Sequence, residues 1–175
     1  MTPHLETLCE ALAQVLTANH LCMATAESCT GGLIAASCTQ LSGSSVWFER
    51  GFVTYSNAAK TELLDVPSSL IETHGAVSEE VAKAMALGAL AHSKAHFSVA
   101  VTGIAGPTGG SAAKPVGTVW LVWGWRDSQS AMHCEAMLQQ FKGSRSEVRD
   151  ATADLALTHF TELVKMRQIN THRSV

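Results

Sequence analysis

The chain has 175 residues, of which 46% are hydrophobic and 15% charged, with 12 lysines and arginines against 15 aspartates and glutamates. This composition excludes an intrinsically disordered chain, and the length predicts one compact domain. A net charge of -3 and a pI near 6.2 argue against a protein that holds a nucleic-acid duplex by bulk electrostatic attraction. We therefore expect no nucleic-acid partner.

The five cysteines form no C-x-x-C pair, and the N-terminus lacks the basic and then apolar pattern of a signal peptide. Reduced thiols are the simpler expectation for such a chain. No apolar run reaches the ~18 residues of a membrane-spanning helix, because two glycines interrupt the most apolar segment, residues 116–125. These features predict a cytoplasmic protein that does not bind membranes.

The first half of the chain alternates between helical and extended patterns. A helix begins near Thr2 and Pro3, with leucines on one face, and a short apolar strand follows at residues 21–26. A polar turn over residues 27–32 leads into a helix of small residues. This helix spans residues 33–39, and the next predicted elements are an extended segment at 48–55 and a helix at 57–64 that Asn57 can cap.

The second half predicts helices first and then strands. Pro67 starts a short helix, and Ser78 caps a longer one that carries Glu79 and Glu80 in its first turn. A buried strand at 97–102 ends in the glycine-rich loop 103–110, and strands at 116–125 and 131–141 pair through a turn at Asp127 and Ser128. The last helix begins at Ser144, which forms a capping box with Glu147.

Strands without an intervening helix adjoin βα units in this order, which predicts an α/β fold, a single-domain three-layer α/β/α sandwich with a central mixed sheet. The domain is expected to span residues 1–166, and the polar tail 167–175 is expected to be frayed.

Two nucleophile candidates lie in the turn after the first strand. Ser28 is at a strand-to-helix junction, where the unpaired N–H groups of a helix start can stabilise an oxyanion, although Ser28 or Thr30 could equally be a helix cap. The context is neither G-x-S-x-G nor S-x-x-K. Cys29 is a rival nucleophile that would be more reactive as a thiolate. The residues alone leave this choice open.

Lys60 falls in the first turn of the predicted helix 57–64, where a cation is electrostatically unfavourable. Such a lysine is usually solvated and incidental. If it is instead desolvated, its pKa falls and the amine can act as a general base on a serine.

Two other segments could contact a phosphate. The loop 103–110 could let backbone amides approach one, although it matches neither a P-loop nor G-x-G-x-x-G, and a plain turn is the alternative. Arg145 could supply a bidentate contact, with a surface ion pair as the alternative. His92 and His96 are four residues apart but have no third ligand, so no metal site is predicted.

Five segments together resemble the CinA C-terminal domain family, in the family's order and over nearly the whole chain. They are T-A-E-S-C-T-G-G at 25–32, G-F-V-T-Y-S-N-A-A-K at 51–60, V-T-G-I-A-G-P at 101–107, K-P-V-G-T-V at 114–119 and F-K-G-S-R at 141–145. The resemblance implies a nicotinamide-nucleotide amidohydrolase of pyridine-nucleotide salvage, which converts nicotinamide mononucleotide and water to nicotinate mononucleotide and ammonia. It also makes a homodimer without a cofactor the expected form.

The resemblance implies a role for individual residues as well. Ser28 matches the family's nucleophile, Lys60 its partner base, and Tyr55 and Thr102 match two further active-site positions. The substrate-binding residues would be Thr30, Gly31, Gly32, Gly103, Gly106 and Arg145, of which the glycines and the arginine would hold the phosphate. Two alternatives stay open: a catalytically silent nucleotide-binding module in which Ser28 only caps a helix, and a hydrolase that depends on Cys29.

Overall fold

Five strands form one mixed sheet. They are β1 (Met23–Glu27), β2 (Phe48–Val53), β3 (Phe97–Gly103), β4 (Thr118–Arg126) and β5 (Met132–Gln140). Their spatial order is β2-β1-β3-β4-β5, in which β1 pairs in parallel with both β2 and β3, and β4 and β5 continue the sheet as antiparallel strands. This computed structural model describes residues 3–172, with side chains described through residue 167.

Helices cover both faces of the sheet, as the three-layer prediction required. The helices are α1 (Pro3–Ala18), α2 (Leu33–Thr39), α3 (Asn57–Leu64), α4 (Ser68–His74), α5 (Glu79–Ala91) and α6 (Arg145–His172). Contacts join α1, α2 and α6 on one face, whereas α3, α4 and α5 contact one another on the other. Within residues 3–172, none of the helices is both long enough and apolar enough to cross a lipid bilayer.

The alternation of side chains along the strands divides the core into two layers. Val99 and Val101 of β3 point into the cluster beneath α1, α2 and α6, whereas Ala100 between them points toward α5. The α5 face of the sheet also carries Ala26, so small side chains let this helix lie close to the strands. Trp123 is fully buried on the α6 side, and its indole N–H donates to the Ala156 carbonyl at 2.9 Å.

Most predicted element boundaries agree with the structure, and the caps show why. The Ser78 hydroxyl accepts from the Val81 amide, and Ser144 forms the predicted capping box, in which its amide donates to the Glu147 carboxylate at 2.7 Å. The prediction that Asn57 caps α3 is wrong. Ser56 is the cap, because its hydroxyl accepts from the Ala59 amide at 3.0 Å.

One further prediction needs correction at the end of an element. The first strand continues to Glu27, which the sequence had assigned to the following turn. The last helix is assigned to His172, residues 173–175 lie outside the described residues, and the fraying of the tail 167–175 stays a prediction. Thr2, the expected cap of α1, also lies outside them.

The topology points to one end of the sheet as the place for a ligand. The chain leaves β1 toward β2 and leaves β3 toward β4, so the connections diverge above the carboxyl ends of two neighbouring parallel strands. In open α/β sheets a crevice at this switch point is where ligands bind.

The core between α6 and the sheet should tolerate little loss of volume. Phe160 is fully buried, with its ring centroid 6.1 Å from that of Phe97. Phe160→Ala should lower the free energy of unfolding by about 3–5 kcal/mol, because the cavity left behind cannot fully collapse. Urea denaturation followed by circular dichroism measures this. The exposed Leu138→Ala on β5 is the control and should change stability by about 0.5 kcal/mol or less; equal losses in the two variants would contradict this description of the core.

Candidate active site

A cavity of about 220 Å³ opens at the carboxyl ends of β1, β2 and β3. It brings together residues that are up to 117 positions apart in the chain, from the turn after β1 to the start of α6. Six of the ten residues to which the resemblance assigned a catalytic or substrate-binding role line this cavity, and so does the rival nucleophile Cys29. The lining consists of Ser28, Cys29, Tyr55, Asn57, Lys60, Ala76, Val77, Thr102, Gly103, Ala105 and Arg145.

The Lys60 amine and the Ser28 hydroxyl are in direct contact in this cavity. Lys60 Nζ lies 3.2 Å from Ser28 Oγ, and it donates a second hydrogen bond to the Thr54 carbonyl at 2.9 Å. Both side chains are buried, since Lys60 is 1% exposed and Ser28 is 9% exposed. The sequence names Ser28 and Lys60 as candidates, and the fold brings them to hydrogen-bonding distance.

Burial shapes the electrostatics of Lys60. Removal from water lowers the pKa of the Lys60 amine below its ordinary value, and the nearby Cys29 opposes this shift only in part. Its two contact atoms, a carbonyl and a hydroxyl oxygen, carry no net charge that would hold a proton on the amine. The neutral form is therefore favoured relative to a solvated lysine, which is the condition for a general base.

The pairing of β1 with β2 explains how this contact is built. Glu27 pairs with Val53 across the two strands, and one residue further the Thr54 amide donates to the Glu27 carbonyl at 2.8 Å. The chain then turns through Ser56, which caps α3, and the first turn of that helix directs Lys60 back toward the strand ends. The segments that follow two adjacent parallel strands thus bring the Ser28 hydroxyl and the Lys60 amine together.

Cys29 lines the same cavity but has different chemistry. It is nearly fully buried, and burial raises the pKa of the Cys29 thiol to about 12. A thiol with this pKa stays protonated near neutral pH, whereas the nucleophile is the thiolate. The geometry therefore favours Ser28 over Cys29, a choice that the sequence had left open.

Thr102 and Gly103 form the opposite wall at the end of β3. The Thr102 hydroxyl donates to the Ala76 carbonyl at 2.8 Å, which fixes the segment that contributes Ala76 and Val77 to the lining. Gly103 has no room for a side chain, because a Cβ there would lie 2.6 Å from the Val119 side chain. Glycine is therefore required at position 103 because β4 approaches closely, and not because the backbone needs the conformational freedom of glycine.

Arg145 and Tyr55 meet at the mouth of the cavity. Arg145 donates to the Tyr55 hydroxyl at 2.8 Å and to the Gly106 carbonyl at 2.9 Å. Tyr55 is 60% exposed, so the pair borders solvent. Gly106 is held by this contact and does not itself line the cavity formed by the described residues. The guanidinium thus joins the loops that follow β2 and β3.

The turn after β1 differs from the expected arrangement, in which the first amides of α2 would be open to an anion. The Glu27 carboxylate accepts hydrogen bonds from the Ile34 amide at 3.0 Å and the Ala35 amide at 2.8 Å, so these two donors are already used. The Gly31 amide donates to the Ser28 carbonyl. Ser28 is not a helix cap either, because the cap position of α2 is Gly32.

The three predicted binding residues in this turn have structural contacts instead. The Thr30 hydroxyl donates to Glu27 at 2.7 Å, and Gly31 and Gly32 adopt φ values of +61° and +93°, the left-handed region that favours glycine. Among the described residues that line the cavity, none of these three is found. Their role in binding substrate stays a prediction.

Comparison with known proteins gives the family. The chain matches the CinA C-terminal domain over residues 5–164. The chain belongs to this family. It is 52% identical over 157 residues to the nicotinamide-nucleotide amidohydrolase PncC of Pseudomonas putida, a match that covers 90% of this chain and 95% of the relative.

One further relative and one solved structure are also similar to this chain. The chain is 56% identical over 123 residues to a CinA-like protein of Colwellia psychrerythraea, and this match spans 70% of the chain but only 28% of that relative's length. The crystal structure of the competence/damage inducible protein CihA from Agrobacterium tumefaciens superposes with a TM-score of 0.85 at 44% identity. That similarity covers 93% of this chain and 97% of the other.

Sequence reasoning missed several residues that build this CinA-type site. Glu27 and Thr54 hold the strand ends together, and Arg149 donates twice to the Thr30 carbonyl, at 2.7 and 3.2 Å. Lys114 donates to the His74 and Val77 carbonyls and so supports the wall that Thr102 also contacts. Glu27, Thr54 and Lys114 lie within the family segments but were given no role, and Glu27 also stands out as an acid at the end of an otherwise uncharged strand.

The two histidines considered for a metal have other partners. His92 lies 2.7 Å from the Asp65 carboxylate, and the His96 ring nitrogen accepts from the Cys22 amide at 3.1 Å. Across the part of the chain that the structure describes, no group of three or more His, Cys, Asp or Glu side chains is arranged to hold a metal ion.

The lowered pKa of Lys60 should appear in the pH dependence of stability. The unfolded chain takes up a proton at Lys60 that the folded chain binds less readily, so parent stability should rise with pH between the folded and unfolded pKa values. The stability of the parent relative to Lys60→Met should therefore increase from pH 7 to pH 10. Urea midpoints across this range measure it.

The matched control is Lys83→Met on α5. The Glu79 carboxylate raises the pKa of Lys83, so this comparison should show no such rise. A flat difference between the parent and Lys60→Met across the same pH range would show that Lys60 is not desolvated.

Proposed function

We propose that this protein hydrolyses nicotinamide mononucleotide to nicotinate mononucleotide and ammonia. The observation that carries the proposal is the 3.2 Å contact between Ser28 Oγ and the buried Lys60 Nζ. It supplies a nucleophile and a base in one cavity, and the name of the P. putida relative supplies the substrate. A cavity of about 220 Å³ suits the pyridine carboxamide, with the ribose phosphate at its mouth.

The first half of the reaction acylates Ser28. The lone pair of neutral Lys60 accepts the hydroxyl proton as Ser28 Oγ forms a bond to the carboxamide carbon. The tetrahedral intermediate then breaks its C–N bond, and the departing nitrogen takes the proton from the Lys60 ammonium and leaves as ammonia. An ester between Ser28 and the nicotinoyl group remains.

The second half uses water in place of the serine. Lys60 takes a proton from water as its oxygen attacks the ester carbon, and the collapse of this intermediate breaks the C–O bond to Ser28. The serine oxygen regains the proton from Lys60, which restores both groups. Lys60 is positioned for both halves because its hydrogen bond to the Thr54 carbonyl holds the amine beside the hydroxyl.

The oxyanion of both intermediates is best served by the loop after β3. The Ile34 and Ala35 amides of α2 are taken by Glu27 and the Gly31 amide by the Ser28 carbonyl, whereas Gly103, the last residue of β3, and Ala105 just after it line the same cavity as Ser28. We therefore assign oxyanion stabilisation to this loop. The apolar Ala76, Val77 and Ala105 provide surfaces for the pyridine ring.

Three expectations from the sequence remain part of this proposal. We infer that the protein acts in the cytoplasm, that it binds no nucleic acid or membrane, and that it forms a homodimer. Gel filtration with light scattering tests the dimer directly, with a mass near 37 kDa expected from the 18.5 kDa chain.

The nucleophile can be identified by three substitutions. Ser28→Ala and Lys60→Met should each lower kcat for nicotinamide mononucleotide by roughly 10³-fold or more, since a serine and its base act as a unit. Cys29→Ala should retain activity within a few-fold, because its thiol is protonated. Ammonia release measures the rate, and mass spectrometry of a quenched reaction detects the acyl group on Ser28.

Each alternative has a distinct outcome in this experiment. Activity that survives in Ser28→Ala but disappears in Cys29→Ala would establish the cysteine hydrolase and overturn the proposal. Binding of nicotinamide mononucleotide without ammonia release by the parent would establish the silent nucleotide-binding module.

Arg145 should distinguish the nucleotide from its riboside. Arg145→Gln should raise KM for nicotinamide mononucleotide roughly 10- to 100-fold, since a hydrogen bond to a charged group is lost, with a much smaller effect on the riboside, which has no phosphate. Lys83→Gln, which removes a charge elsewhere on the surface, is the control and should leave both KM values unchanged. An equal rise for both substrates in Arg145→Gln would show that Arg145 does not contact the phosphate.

A further inference from the structure

Glu27 is a fully buried carboxylate whose side-chain hydrogen bonds, among the described residues, all come from donors. It accepts from the Thr30 hydroxyl at 2.7 Å, the Ile34 amide at 3.0 Å and the Ala35 amide at 2.8 Å. Burial of a carboxylate is costly unless several donors surround it, and these three donors compensate for the burial of Glu27. The Glu27 side chain spans the turn that contains Ser28 and ties its two ends together.

The main chain of Glu27 also supports Lys60, through the backbone of Thr54. The Glu27 carbonyl accepts from the Thr54 amide at 2.8 Å, and the Thr54 carbonyl accepts from Lys60 Nζ at 2.9 Å. The next residue, Ser28, donates its own amide to the Val101 carbonyl at 3.0 Å. Hydrogen bonds of the Glu27 and Ser28 backbone thus help to hold both Ser28 Oγ and Lys60 Nζ in place.

We propose that Glu27 is a positioning residue that sets the distance between Ser28 and Lys60. This inference rests on the proposed function and goes beyond it, because it assigns a role to a residue that does not line the cavity.

The isosteric variant Glu27→Gln tests the proposal. Its amide group would present N–H donors to partners that are themselves donors, so the turn must shift. We expect kcat for nicotinamide mononucleotide to fall about 10- to 100-fold, because a displacement near 1 Å is sufficient for such a loss. We expect KM to change by no more than about twofold, since Arg145 and the residues at the end of β3, which would bind the substrate, lie outside this turn. A purely structural role would change the melting temperature without this split between kcat and KM.

Two more variants keep the test decisive. Ser37→Ala removes another buried hydrogen bond on α2, from its hydroxyl to the Leu33 carbonyl, and should alter stability without lowering kcat. Thr30→Val removes only one donor to Glu27, so kcat should fall in the same direction by a smaller factor, and it replaces Glu27→Gln if that variant does not fold.

The rate at which a fluorophosphonate probe labels Ser28 separates this inference from the proposed function. If the parent is labelled but releases no ammonia from nicotinamide mononucleotide, the proposed substrate is wrong, and slower labelling of Glu27→Gln still supports the positioning role. If folded Glu27→Gln, or folded Thr30→Val in its place, keeps the parent kcat and labelling rate, Glu27 does not position Ser28 and the inference is overturned.

Discussion

The buried amine of Lys60 is the feature on which the proposed chemistry depends. A lysine side chain normally keeps its ammonium group in water, and taking it into the protein favours the neutral form. Here the amine ends between a carbonyl oxygen and the Ser28 hydroxyl, neither of which carries a net charge. The site thus gives up some stability near neutral pH to obtain an amine that can accept a proton, the exchange expected where a group is tuned for catalysis.

The surrounding structure separates this base from the parts that handle charge on a substrate. Glu27 fills the start of α2, so the side of the cavity that carries the nucleophile is internally satisfied. Arg145 lies at the mouth, where its guanidinium borders solvent and has further N–H groups beyond those that contact Tyr55 and Gly106. A nucleotide that enters with its phosphate outward would meet this cation without bringing the anion close to Lys60.

The last helix completes the site although it begins after all five strands. Arg145 and Arg149 are four residues apart, so both project from one side of α6. Arg149 holds the Thr30 carbonyl in the turn after β1, and Arg145 holds the loops after β2 and β3. One helix therefore fixes three loops that come from three different strands, which makes the site depend on correct docking of the C-terminal segment.

The sequence by itself determined the elements whose causes are local. Helix caps at Ser78 and Ser144, the order of the predicted helices and strands, and the family motifs were sufficient to predict the layers and to name Ser28 and Lys60, because these signals act over a few residues. The tertiary structure alone decided that these two side chains meet, that burial raises the pKa of the Cys29 thiol, and that the Glu27 carboxylate accepts from the first amides of α2. Each of these depends on burial and on pairing between distant segments, and no short-range pattern encodes how far water is excluded from a side chain.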